Sequence, residues 1–256
     1  MADNSKTATR AALITGGGRR IGAAIALTLV RAGYSVVLHA NNSREDAERL
    51  AQTILDAGGR ARVVLADLSD LGAVRGVIPA AAAFGPLTLL VNNAGEFEPD
   101  DIETLSPARF RRAIAVNLEA PLFLAQAFAG QVPAGLDASI VNILDQRVLK
   151  PNPRFFSYTL SKSALFTATT TLAQALAPRI RVNAVAPGPT LPSPRQTDQQ
   201  FASQAQSLPL QRGPLPEDIA EAVLYFAEAG AVTGVTMPVD GGQHLSWRTA
   251  DSEAVE

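Results

Sequence analysis

Tyr158 and Lys162 lie four residues apart in the run Tyr158-Thr159-Leu160-Ser161-Lys162, a spacing that sets a phenol and an ammonium on one face of a helix. A cation beside a phenol stabilises the phenolate and lowers the tyrosine pKa from about 10, which would make Tyr158 a usable proton donor near neutral pH. Such a pair on its own is as readily structural as catalytic, so its meaning depends on its company. Upstream, Thr15-Gly16-Gly17-Gly18-Arg19-Arg20-Ile21-Gly22 joins an apolar run to the helix-forming stretch Ala23 to Arg31. Glycines at a strand-to-helix turn let the backbone approach a pyrophosphate, and the helix N-terminus offers it N–H groups and a positive dipole. Three glycines also occur for turn geometry alone; the strand before and the helix after point to a dinucleotide turn.

The choice of dinucleotide is read from an absence. A site for NAD places a carboxylate at the end of the second strand, about 20 residues beyond the turn, to hold the ribose 2′-hydroxyl. No Asp or Glu occurs between Gly22 and Glu45. The second strand ends instead in His39-Ala40-Asn41-Asn42-Ser43-Arg44, a set of donors for an additional phosphate, with Arg19 and Arg20 supplied from the turn. The expected cofactor is NADP(H). A plainer reading of the same stretch, compatible with phosphate binding, is a polar strand end whose Ser43 caps the next helix.

The elements that must position these groups alternate along the chain. Short apolar runs at Ala11–Thr15, Ser35–Ala40, Arg62–Leu65, Leu87–Val91, Ser139–Leu144, Ile180–Val185 and Val235–Pro238 read as strands, with amphipathic helical stretches between them. Most of these runs are continuously apolar, as in a parallel sheet covered on both faces. The fold class expected is α/β: a single Rossmann-type, doubly wound parallel sheet of about seven strands flanked by helices. The domain spans residues 11–248, between a flexible N-terminus (1–10) and a flexible acidic tail (249–256). Residues 187–216 carry Pro187, Pro189, Pro192, Pro194, Pro209 and Pro214 beside a glutamine-rich stretch, so they do not form one regular element. A substrate lid and a merely flexible surface loop are both open readings of that segment.

Composition narrows the function classes. The 22 basic and 24 acidic side chains give a net charge of −2, without the cationic excess of a nucleic-acid binder. No cysteine is present, which removes disulfides, thiolate metal sites and a cysteine nucleophile, and His39 and His244 do not make a conventional zinc site unaided. No metal is expected. The longest apolar run, Ile78 to Val91, is interrupted by Gly85 and Pro86 and falls short of a bilayer span. The first ten residues are polar, without the apolar core of an export signal. A cytoplasmic protein acting on a small-molecule substrate, with no nucleic-acid or membrane partner, is therefore expected.

From about Ala11 to Leu245 these features, with Asp67-Leu68, Asn92-Asn93-Ala94-Gly95, Asn117, Pro187-Gly188 and Val239-Asp240-Gly241-Gly242, make the chain resemble the short-chain dehydrogenase/reductase family. The resemblance implies hydride transfer from nicotinamide. It implies that Tyr158 is the acid and that Lys162 also binds the nicotinamide ribose. Asn117 would help a water-linked proton relay with Lys162, Asp67 would hold the adenine amino group, and Asn92 would brace the central strand. The cofactor-binding set implied is Gly16, Arg19, Arg20, Ile21, His39, Asn41, Asn42, Ser43, Asp67, Leu68, Asn93, Ala94, Gly95, Tyr158, Lys162, Pro187 and Gly188. A homotetramer is implied as well, with His244 and Trp247 near a subunit interface.

The sequence departs from that family pattern at two places. Arg20 stands where the family has glycine, and Asp145, thirteen residues before Tyr158, stands where it has serine. Both departures, with Phe97 two residues beyond Asn92-Asn93-Ala94-Gly95, resemble the pteridine reductase branch. That branch implies a pterin sandwiched between Phe97 and nicotinamide, with Arg20, Phe97, Asp145 and Tyr158 as substrate-binding residues. An ionised carboxylate would repel the oxyanion of a ketone reduction, whereas a C=N reduction loads a basic nitrogen that must be protonated. The expectation is NADPH-dependent reduction of a pteridine-type C=N, with Asp145, Tyr158, Lys162 and Asn117 catalytic and Asp145 an acid whose pKa burial raises. Two alternatives stay open: a general carbonyl reductase of the family, such as a 3-oxoacyl-thioester reductase, and a non-catalytic NADP(H)-binding sensor or scaffold. Phe97 reads equally as packing, and Arg147 and Lys150 read either as solvated loop charges or as a lure for an anionic substrate tail.

Overall fold

The computed structural model describes residues 10–247. The flexible segments expected over most of 1–10 and over 249–256 lie outside the described residues. Seven strands form one parallel sheet: β1 (Ala11–Ile14), β2 (Ser35–Ala40), β3 (Ala61–Leu65), β4 (Leu87–Asn92), β5 (Ala138–Ile143), β6 (Ile180–Pro187) and β7 (Thr236–Val239). Their order is β3-β2-β1-β4-β5-β6-β7. Each strand lies where its apolar run predicts, with ends moved by at most two residues.

Alternation along the strands feeds two cores. Ile14, Leu38 and Val91 face α1 (Arg20–Arg31), α2 (Arg44–Asp56) and a late helix over Pro216–Glu228, meeting Ile25, Leu29, Ile54 and Phe226. Leu13, Val37, Leu90 and Ile140 face the opposite layer, meeting Val77 and Ile78 of α3 (Leu71–Ala82) and Leu124 and Phe128 of a helix over Ala120–Gln131. Strand order reverses between β1 and β4, and it is outside the C-terminal ends of strands at such a point that α/β sheets form a ligand crevice.

The helical stretch Pro107–Gln131 is divided. α4 (Pro107–Ile114) passes into a π-helical turn at Ala115–Glu119 and then into α5 (Ala120–Gln131). By length and composition this stretch is apolar enough to cross a membrane, although no continuous apolar run of that length occurs in it. Leu124, Ala125 and Phe128 of this stretch are packed into the core, whereas Phe123 is exposed. α6 (Phe156–Leu176) carries Tyr158 and Lys162. Within the proline-rich 187–216 segment stands a nine-residue helix, α7 (Asp198–Gln206), whose start is fixed by a reciprocal cap between Thr197 and Gln200. α8 (Pro216–Glu228) closes the first core.

Candidate active site

The glycine turn is tied to the end of β4. The Thr15 hydroxyl accepts from the backbone N–H groups of Asn93 and Ala94, both at 2.9 Å. The Asn93 amide donates back to the carbonyls of Thr15 (2.9 Å) and Gly16 (3.2 Å). Gly16 has φ +62°, and a Cβ on Gly22 would run into the Gly16 carbonyl, so both positions need glycine. A cleft of about 680 Å³ opens beside this junction. Thirteen of the expected cofactor residues line it: Gly16, Arg19, Arg20, Ile21, His39, Asn41, Asn42, Ser43, Asp67, Leu68, Asn93, Ala94 and Gly95.

At the end of β2 two expectations change. Ser43 occupies the N-cap position of α2 but makes no capping hydrogen bond, so its hydroxyl stays with the cleft. His39, expected as a phosphate donor, has both ring nitrogens engaged: Gly16 N–H donates to Nδ1 (3.2 Å) and Nε2 meets the Ala66 carbonyl (3.1 Å). Burial holds its pKa below the usual histidine range, so the neutral ring braces the glycine turn. At the Asp67 end of the cleft the carboxylate accepts from Ser69 N–H (2.9 Å) and hydroxyl (2.8 Å), and these bonds keep it below the usual carboxylate range. Arg112 crosses the same end, donating to Glu96 (2.6 Å) and the Ser69 hydroxyl (3.0 Å). Arg112, Glu96 and Val116 line the cleft without any motif to announce them, because Arg112 and Val116 arrive by packing of α4 and the π turn.

Tyr158, Lys162, Asn117 and Asp145 gather beyond this cleft rather than on its wall. The buried Tyr158 hydroxyl donates to Asp145 Oδ2 at 3.1 Å. Lys162 Nζ donates to the Ile143 carbonyl at 2.7 Å and lies 5.8 Å from the Tyr158 ring centre. Burial brings Lys162 down to about 8. The expected lowering of the Tyr158 pKa by Lys162 is reversed: burial and then the Asp145 charge push it well above the ordinary value, against a smaller opposing effect of Arg147. The phenol therefore holds its proton, and giving it up requires positive charge nearby to offset the phenolate. Asn117, placed by the π turn, donates to the Glu96 carbonyl and the Ser161 hydroxyl (3.0 Å each) and accepts from Glu96 N–H (2.8 Å). Asn92 joins β4 to β5 through the Asn142 side chain (2.9 Å).

The surroundings of Asp145 are also corrected. Arg147 is not a solvated loop charge: its Nη1 donates to both Asp145 oxygens (3.3 and 3.1 Å) and its backbone N–H to Oδ1 (2.9 Å). With Tyr158 added, every partner of Asp145 is a donor. Phe97 does not present an open platform. It stacks on Phe155, centroids 4.1 Å apart and planes 5° from parallel, and the Arg147 guanidinium lies 5.3 and 5.2 Å from the two rings. Arg20 donates to the carbonyls of Leu191 and Pro192, and Arg195 to the Phe97 carbonyl and Glu98, so the 187–216 segment is drawn over this end. Pro187 and Gly188 do not line the cleft. Gly188 continues the β6–β7 pairing and a Cβ there would stand 2.6 Å from Asp240 Cα. Lys150 donates to the Ser246 carbonyl and His244 pairs with Asp240 at 2.8 Å, while Trp247 is exposed.

A parallel sheet in this order, with a glycine turn at its switch point and a Tyr/Lys pair beyond the cleft, defines a dinucleotide-dependent oxidoreductase fold. The profile described as enoyl-(acyl carrier protein) reductase matches residues 17–244. A short-chain type dehydrogenase/reductase of Picea abies is 34% identical over 254 residues, covering 91% of this chain and 92% of that protein. An uncharacterised oxidoreductase of Methylorubrum extorquens is 36% identical over 249 residues, covering 93% and 99%. The crystal structure of FolM alternative dihydrofolate reductase 1 from Brucella canis, complexed with NADP, is 51% identical, with a TM-score of 0.92 and coverage of 95% and 97%. The chain belongs to the short-chain dehydrogenase/reductase family of oxidoreductases.

Lys162 carries a pH signature. Its folded pKa of about 8 lies below the unfolded value of about 10.4, so between them the unfolded chain binds more protons and stability rises with pH. Urea unfolding of wild type and Lys162→Met at pH of about 7.5 and about 10 should show wild type gaining on the variant. Parallel stability curves would refute the shift.

Proposed function

We propose that the protein is an NADPH-dependent reductase of a pteridine-type C=N bond, with dihydropterin or dihydrofolate as the substrate class. The observation that carries this reading is the Tyr158 hydroxyl bonded to the carboxylate of Asp145, where the family pattern has a serine hydroxyl. The 51% identity to an NADP-complexed alternative dihydrofolate reductase supports it.

The cleft fits the cofactor. Its glycines leave room where a side chain would collide, its second-strand end carries no carboxylate, and Ser43, Asn41, Asn42 and Arg19 remain for a 2′-phosphate. Asp67 would hold the adenine, Asn93 to Gly95 would flank the dinucleotide, and Lys162 would turn from the Ile143 carbonyl to the nicotinamide ribose. NADPH, when bound, supplies the hydride.

Tyr158 donates its hydroxyl proton to the substrate nitrogen as the C=N bond becomes C–N. The phenolate left behind is reprotonated through Lys162, whose pKa of about 8 leaves it mostly charged near neutrality, with Asn117 holding the backbone beside it. Asp145 accepts N–H groups of the ring and disfavours a ketone oxyanion in the same place. Phe97 becomes the ring platform once Phe155 yields its stacking face, and residues 187–216 form the lid. The fold operates as one catalytic domain in the cytoplasm. Exposed Phe123 and Leu160 on α5 and α6, and Tyr225 and Val235 near the β7 edge, support a homotetramer.

A second reading, reduction of 3-oxoacyl thioesters, draws on the acyl-carrier description of the matching profile and on the neutralisation of Asp145 by Arg147. Parallel assays with NADPH and either dihydrobiopterin, dihydrofolate or an acetoacetyl thioester decide between them. Turnover of the pteridines is expected, and Asp145→Ser should abolish it while NADPH still binds. Unchanged pterin turnover in that variant would overturn the role of Asp145. Asn42→Asp sets a carboxylate against the third phosphate and should weaken NADPH binding by about tenfold or more with little effect on NADH, as fluorescence titration would show. Light scattering should give about four times the 26.8 kDa chain mass; a monomer would dispose of the tetramer.

A further inference from the structure

Arg147 is the charged side chain nearest the reacting end that the reading above leaves without a task. Its side chain is four-fifths covered, with 19% of its surface exposed, although it sits in the short 3-10 turn Gln146–Val148 after β5. It meets Asp145 through both its backbone and its guanidinium, and the guanidinium plane also covers Phe97 and Phe155. Its Nε is buried without a partner, so the geometry is not dictated by satisfying every donor of the arginine. What the placement does satisfy is Asp145, on both carboxylate oxygens, including the one that receives the Tyr158 hydroxyl.

A carboxylate 3.1 Å from a proton-donating phenol creates a problem of charge. As Tyr158 gives up its proton, a phenolate forms beside a carboxylate, and two like charges at that distance oppose the step. Lys162 is the cation expected to offset this, yet its Nζ lies against the Ile143 carbonyl, 5.8 Å from the Tyr158 ring centre. Arg147 holds a permanent positive charge on the Asp145 oxygen that receives the Tyr158 hydroxyl. We infer that Arg147 is a positioning residue for proton transfer: by ion-pairing with Asp145 it fixes that carboxylate against the Tyr158 hydroxyl and offsets the charge that builds as Tyr158 donates. This assignment rests on the proposed function only for the choice of substrate.

The distinction from a merely structural role lies in the proton-transfer step. Arg147→Met keeps the packing over Phe97 and Phe155 but removes the charge, and Arg147→Lys keeps a charge. With dihydrobiopterin and NADPH, Arg147→Met should lose about tenfold or more in kcat. Its solvent deuterium isotope effect on kcat should rise, and NADPH affinity by fluorescence titration should stay within about twofold of wild type, since Arg147 does not line the dinucleotide cleft. Arg147→Lys should recover most of kcat and the wild-type isotope effect. An Arg147→Met enzyme with wild-type kcat and isotope effect overturns the inference. So does an Arg147→Lys enzyme as impaired as Arg147→Met, because packing rather than charge would then be responsible. Should Arg147→Met fail to fold, Arg147→Lys decides alone by the same comparison with wild type. If wild type reduces the acetoacetyl thioester and no pteridine, the proposed function falls, and the same variants measured on the thioester still confirm or overturn Arg147.

Discussion

The Thr15 hydroxyl is where the two halves of the sheet are joined for function. By accepting from Asn93 and Ala94 it ties the strand that leads into the glycine turn to β4, whose end is followed by Gly95 beside Asn117 and Lys162. The Asn93 amide returns two bonds to the same backbone. Parallel strands leave their C-terminal groups open at a reversal of strand order, and here those groups are spent on each other rather than on water. The width of the cleft, the direction of α1 and the place of Gly95 against the Asn117 side chain follow from this junction.

Beyond it, the site is organised by charge. Lys162 is buried and turned to a backbone carbonyl, Tyr158 is pressed toward its protonated form, and Asp145 is matched by Arg147. An isolated carboxylate in that position would be costly to bury; an ion pair satisfied by hydrogen bonds on both oxygens is far less so. The aromatic pair Phe97 and Phe155 supplies the low-polarity wall that strengthens these interactions.

Much of the fold was legible because parallel strands buried on both faces leave continuous apolar runs, as in Leu87 to Val91. The glycine turn was legible because its chemistry is local, and so were Tyr158 and Lys162, four residues apart on one helix. What escaped was set by tertiary contacts. His39 looks like a phosphate donor until the turn folds back onto its ring. Arg147 and Phe155 look like loop residues until Asp145 and Phe97 gather them, and Arg112 reaches the cleft only through the packing of α4. The direction of the Tyr158 pKa is set by burial and by the Asp145 charge, which the four-residue spacing to Lys162 does not reveal.

The π-helical turn at Ala115–Glu119 has a consequence for how the molecule tolerates change. One extra residue in a helix shifts everything after it by about 100° around the axis. The stretch Pro107–Gln131 therefore keeps two registers: α4 presents Arg112 to the Asp67 end of the cleft, and α5 presents Leu124 and Phe128 to the core, with Asn117 at the step between them. A one-residue deletion there would make a more regular helix and a worse protein, because no single rotation satisfies both ends. The irregularity works like a gear between the stability of the sheet and the geometry of the site.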